Sequence, residues 1–154
     1  RDHLLRMDVL AYGSASVGKS LGMMRSQSRF KSPTVVVLDG DQDPADGCVL
    51  LPGGDAPERV VFECLSRSGW PDVALRIERS HSDLVDPANA AMTLTNHHDW
   101  VRHVADKVVV GGNELWRAMC RSYIAIENGA EFVALVDAIQ TEFADDRKMG
   151  SDQH

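Results

Sequence analysis

Val35-Val36-Val37-Leu38 runs without a polar break into Asp39-Gly40-Asp41. Consecutive β-branched residues favour extended backbone. With no alternation of polar and apolar positions, neither face of this strand is designed for water. That is the pattern of a parallel sheet covered on both sides. Upstream, residues 7–12 read as a first strand and Gly13-Ser14-Ala15-Ser16 as a small-residue turn. Residues 17–25 read as a helix with Leu21, Met23 and Met24 as its apolar positions, and Lys31-Ser32-Pro33 breaks the chain. Strand, helix and strand predict a β-α-β unit.

Beyond it, residues 40–47 form an acidic, turn-rich loop and residues 48–51 a short third strand. A helix over 55–68 is expected, capped by Asp55, with Pro57 in its first turn and Val61, Phe62 and Leu65 as its buried stripe. Further helices are expected over 82–94, from Asn96 to a stop at Gly111-Gly112, over 114–127 and over 129–143. The second of these carries Trp100, Val101, Val104, Ala105 and Val108 on one side. The fold class expected is α/β: a small Rossmann-like parallel sheet with flanking helices over 1–80, and a C-terminal helical part over 81–143. Residues 144–154 are polar and expected to be a disordered tail.

The chain has 154 residues, of which 44% are hydrophobic, enough for a real core. No apolar run approaches the ~18 residues of a membrane span, so no membrane partner is expected. The net charge of −7 does not advertise a nucleic-acid binder, since an acidic domain repels phosphate. Bound metal ions or a basic partner domain can reverse that balance. Cys48, Cys64 and Cys120 lack metal-ligand spacing and read as reduced, partly buried thiols of a cytoplasmic protein. The chain opens at Arg1-Asp2-His3 without an initiator methionine, which reads as a piece of a longer protein.

Four motifs carry chemistry. Asp39 and Asp41 lie where a strand ends, the edge at which open α/β sheets bind ligands. Their mutual repulsion is relieved by a hard divalent cation, Mg²⁺ or Mn²⁺. Gly40 allows a tight turn between them, and Asp43 is either a third ligand or a solvated turn residue. Glu58 is either an ordinary first-turn acid favoured by the helix dipole or a ligand of a second metal. Asn96-His97-His98-Asp99-Trp100 is either a capped helix start or a source of imidazoles that contact phosphate or shuttle protons. On a helix, adjacent histidines point about 100° apart, so His97 and His98 are not expected to share one ion. Finally, residues 13–20 match the phosphate-cradling pattern G-x-x-x-x-G-K-[ST], with Lys19 and Ser20 in the diagnostic places. Its rival is an accidental match in a strand-to-helix turn. No later apolar strand with a second acid accompanies it. Trp70, Trp100 and Trp116 read as core or interface residues.

The Asp-Gly-Asp-Gln strand end, Leu51-Pro52-Gly53-Gly54 leading to Pro57-Glu58, and the late His-His-Asp-Trp run together resemble one family. It is the C-terminal Toprim-type nuclease region of ATPases of the overcoming-lysogenisation-defect (OLD) class, over residues 7–140. The resemblance implies a Toprim-like sheet and metal-dependent cleavage of DNA in anti-phage defence. It implies an upstream ATPase domain using ATP, and a homo-oligomer. Asp39 and Asp41 match the metal-binding Asp-x-Asp, and Glu58 a downstream acidic ligand. The small turn at Gly13 and Ser14 would admit the DNA backbone. The first Toprim glutamate would precede Arg1. Where related nucleases carry a lysine, His97 or His98 would act. Two other readings stay open: a partition-type P-loop ATPase using residues 13–20, and a non-catalytic assembly domain.

Overall fold

The computed structural model describes residues 9–127 and 133–141. The elements are α1 (Ala15–Ser26), β1 (Val36–Leu38), β2 (Cys48–Leu50), α2 (Pro57–Arg67), α3 (Val73–Arg76), α4 (His81–Ala91), a 3-10 turn (His97–Asp99), α5 (Trp100–Val108) and α6 (Gly112–Glu127). Residues 133–141 are also helical. The protein is therefore mixed α/β, mostly helical, with a small parallel sheet. The remainder of the helix expected over 129–143 and the tail from 144 lie outside the described residues.

The parallel pair is not the one expected. β1 pairs with β2, Val36 opposite Cys48 and Leu38 opposite Leu50. The described part of the expected first strand, residues 9–12, forms no strand, and Val9 and Leu10 are exposed. Side-chain chemistry takes the place of pairing there. The Leu38 carbonyl accepts from Leu51 N on the β2 side. Alternation along the strand turns the Val37 carbonyl to the other side. The Tyr12 hydroxyl donates to it.

α1 runs antiparallel to the strands, because Gly18 lies against Leu38 at the end of β1 and Gly22 against Cys48 at the start of β2. Its buried residues are these two glycines; Met23 and Met24, two of the apolar positions read from the sequence, are exposed. The helix sits so close to the sheet that a larger side chain has no room. A Cβ at Gly22 would fall 2.2 Å from Cys48 Sγ and 2.6 Å from the Asp46 carbonyl. The loop returning from β1 to β2 also passes here, its Gly47 (φ +71°) tight against the Gly22 backbone.

The main core lies elsewhere, among α2 to α6. Phe62, Leu65, Val73, Leu84, Val104, Leu115 and Met119 are fully buried within one cluster. The stripe Val61, Phe62 and Leu65 forms as expected. Phe62 is the hub: Trp70 meets it edge-on at 5.5 Å and Trp100 at 5.3 Å between ring centroids. Both indole N–H groups are satisfied, by Asn89 Oδ1 and by the Leu94 carbonyl. α5 stops at Val109, which is left-handed (φ +57°), before the glycines expected to end it. Arg79 makes this stop possible: its Nε and Nη2 donate to the Val108 and Val109 carbonyls at 2.8 Å each. Gly112 instead opens α6.

Gly22→Ala is expected to lose about 1–3 kcal/mol of stability, the usual cost of overpacking. Gly112→Ala, where a Cβ meets nothing within 4 Å, should be neutral or slightly stabilising. Urea denaturation of the two variants checks the difference.

Candidate metal centre

The turn after β1 is built against the loop after β2. A Cβ at Gly40 would meet the Leu51 carbonyl at 2.7 Å, the Asp55 carbonyl at 3.0 Å and Gly54 N at 3.2 Å. Only glycine allows this approach of two backbones. Gln42 N donates to the Asp39 carbonyl at 3.2 Å to close the turn, and Gln42 Nε2 donates to Asp41 Oδ1 at 3.0 Å. In the second loop Gly53 (φ +103°) and Gly54 (φ +67°) reverse the chain into α2. Pro57 takes the first helical position, but the capping residue is Ala56, not Asp55. Asp55 Oδ1 accepts from the adjacent Ala56 N–H instead, at 2.7 Å. Glu58 follows in the first turn, one turn before Phe62 and on the same helix face.

The histidines arrive from the far end of the chain. Asn96 shapes their turn: its Oδ1 accepts from His98 N at 3.2 Å and its Nδ2 donates to Asp99 Oδ2 at 3.0 Å. Asp99 also pairs with Arg102 at 2.8 Å. Trp100, two residues after His98, is packed on Phe62. That packing holds His98 opposite Glu58, with 3.2 Å between His98 Nδ1 and Glu58 Oε1. The two imidazoles do not diverge as a regular helix would require. They lie in the 3-10 turn with ring centroids 4.0 Å apart. One ligating atom from each of Glu58, His97 and His98 falls within 4.8 Å of the others.

Electrostatics ties the aspartates to this group. The Asp39 carboxyl is pushed above its ordinary range by burial first, then by the charges of Asp41 and Glu58; His98 and His97 oppose the rise. Four other residues singled out in the sequence thus act on Asp39. Among the described residues, no lysine or arginine forms an ion pair with Asp39, Asp41 or Glu58. Oxygen-rich, partly exposed and offset among the described residues by the two histidines, the group suits a divalent cation. Asp43 stands apart: it is exposed and is not among the charges that act on Asp39.

Gly13 and Ser14 flank this edge. Tyr12, just before them, has its phenol pushed up by burial, then by Asp39 and Cys48. Ser14 is the capping residue of α1, and its Oγ lies 2.9 Å from Ser16 Oγ. The phosphate-loop match takes a different form. α1 begins at Ala15, so residues 15–18 are already wound into helix. Gly18 is spent on packing, and Ser20 Oγ donates to the Ser16 carbonyl at 3.0 Å. Lys19 acts on the Cys48 thiol and not on Asp39.

Sequence reasoning missed three neighbours of the centre. Tyr12 is one. Cys120 is another; burial and then Glu58 push its thiol up to about 11, which keeps it protonated and unreactive. The third is a cleft of about 340 Å³ lined by Glu58, His98, Arg102, Asp106 and Trp116. Trp116, read from the sequence as a core or interface residue, forms part of its wall. A larger cleft of about 560 Å³ lies at the other end of α5, between Arg79 and Glu114. The cysteines are free thiols, as expected. No helix among the described residues is long and apolar enough to cross a membrane. Comparison with protein-family models, curated proteins and solved structures returns no match to this chain.

A raised carboxyl pKa means that the folded state holds the Asp39 proton more tightly than the unfolded chain does. Stability therefore falls as pH rises through the window just above the ordinary carboxyl value. Asp39→Asn removes that loss. The metal-free variant is expected to melt above the parent at pH 7, with the gap closing once pH falls below the ordinary carboxyl range. Melting curves across pH check the sign; a variant that melts lower at pH 7 contradicts it.

Proposed function

We propose that this protein is a metal-dependent phosphodiesterase acting on DNA, the Toprim-type part of an OLD-like ATPase-nuclease. One observation carries the reading. Asp39-Gly40-Asp41, Glu58 and His97-His98 lie far apart in sequence, yet Glu58, His97 and His98 gather within 4.8 Å and, with Asp41, act on Asp39 at the C-terminal end of β1. Such an edge is where α/β sheets hold ligands.

Asp39 and Asp41 would hold Mg²⁺ or Mn²⁺, with Glu58 completing the ligand set. A divalent ion bound there supplies an activated water and offsets charge on the phosphate. Glu58 orients His98 through Nδ1, leaving Nε2 to hold or release a proton at the substrate. Gly13 and Ser14, at the N-terminal end of α1, are small residues that would let a nucleic-acid backbone approach. Arg102, paired with Asp99, lines the neighbouring cleft together with Glu58 and His98. The DNA substrate, an upstream ATPase domain using ATP, self-association and a role against phage follow from the sequence resemblance. The wound start of α1 argues against the P-loop alternative.

Nicking of supercoiled plasmid with Mn²⁺ tests the proposal. Asp39→Ala and Asp41→Ala should each lower the rate by at least about 10–100-fold, the cost already seen for residues that only support metal ligands. Lys19→Ala should leave it unchanged. Equal nicking by the parent and both aspartate variants removes the proposal.

A further inference from the structure

We infer that Glu58, His97 and His98 form a binding site of their own for a first-row transition ion such as Zn²⁺, Mn²⁺ or Co²⁺. The inference rests on the metal-centre reading above and extends it to a second ion of different chemistry. Two imidazoles and one carboxylate are a poor set for Mg²⁺, which prefers oxygen and water. They are a common set for borderline ions, as in two-histidine, one-carboxylate centres.

The geometry fits that set. Metal–ligand bonds of about 2.1 Å place neighbouring ligand atoms about 3.0–3.4 Å apart in octahedral or tetrahedral sites. His98 Nδ1 and Glu58 Oε1 already stand 3.2 Å apart. All three ligating atoms lie within 4.8 Å of one another, so closing the set to the ~3.0–3.4 Å spacing needs side-chain movements of up to about 1.4–1.8 Å. His98 has the freedom to make that rotation, since its side chain is 66% exposed. Glu58 is only 23% exposed and gives the fixed point. The ring of His97 is steadied by the edge of Trp100, at 6.4 Å between centroids. An ion entering here takes over from Glu58 at His98 Nδ1 as the contact that orients the ring, leaving Nε2 for the proton role proposed above. It also sits beside Asp39 and Asp41, whose charge favours any cation. Glu58 is shared by both groups, which makes it the residue through which two ions would be coupled. The cleft beside Glu58 and His98 leaves the exposed side open for water or substrate.

Co²⁺ titration of the whole chain, followed by its visible d–d absorption and competed with Zn²⁺, tests the site. The parent should give saturable bands that Zn²⁺ abolishes and equimolar Mg²⁺ does not. His98→Ala, His97→Gln and Glu58→Gln should each weaken binding by at least about tenfold. Asp39→Asn and Asp41→Asn should keep the bands. Far-UV circular dichroism confirms that each variant is folded, and His98→Ala, on an exposed side chain, carries the test should His97→Gln unfold. Undiminished binding by His98→Ala, or bands lost in the aspartate variants alone, overturns the inference. A parent that binds Co²⁺ this way but never nicks plasmid sinks the hydrolytic proposal and leaves this site standing. A parent that nicks plasmid but gives no histidine-dependent bands does the reverse.

Discussion

Two loops touch through their backbones at Gly40, and the rest of the centre depends on that contact. The parallel pairing of β1 with β2 brings the loops to the same edge, and the bond from Leu51 N to the Leu38 carbonyl fixes their register. Gly40 then lets the Asp39–Asp41 turn settle against Leu51, Gly54 and Asp55. Because that second loop leads directly into α2, Glu58 inherits its position from the sheet. A side chain at residue 40 would separate the aspartates from the glutamate without altering either.

The histidines are placed by a different force, and magnitudes show which. The pair between His98 and Glu58 is open on the histidine side, and such partly exposed pairs contribute about 0–1 kcal/mol. The Phe62–Trp100 contact beneath it is buried. Aromatic pairs of this kind contribute about 0.5–1.5 kcal/mol beyond the burial of the rings, and a buried aromatic side chain contributes a further ~1.5–3 kcal/mol. Core packing therefore sets the distance between Glu58 and His98, and the polar contact follows. The aspartates, in contrast, are held against their own repulsion. Sites kept in an unfavourable charge state by surrounding structure are candidates for binding.

Much of this was legible in the sequence, for definite reasons. The unbroken Val35–Leu38 run and the Asp-Gly-Asp that follows it announce a strand end rich in carboxylate. The spacing of Val61, Phe62 and Leu65 gives a helix face that the structure buries. Other features were not legible. Strand pairing depends on which edge finds a partner, and the described part of the strand-like run, residues 9–12, forms no strand and reaches β1 only through the Tyr12 hydroxyl. The apolar look of Met23 and Met24 concealed that α1 docks through Gly18 and Gly22, where the signal is the absence of a side chain. The end of α5 was assigned to glycines because glycine accepts left-handed backbone most cheaply; Val109 adopts it because Arg79 binds the freed carbonyls. The convergence of His97 and His98 depends on a 3-10 turn, which helical periodicity does not reveal.

The hydroxyl of Tyr12 on the Val37 carbonyl has a consequence for association. A strand edge with open carbonyls is a template on which a foreign strand can zip. Here the middle carbonyl of β1 is already engaged by a phenol, and the ring stands beside Gly18. An incoming strand must first evict Tyr12, whose phenol also feels the charge of Asp39. Growth of the sheet on this side is thus guarded by one aromatic latch.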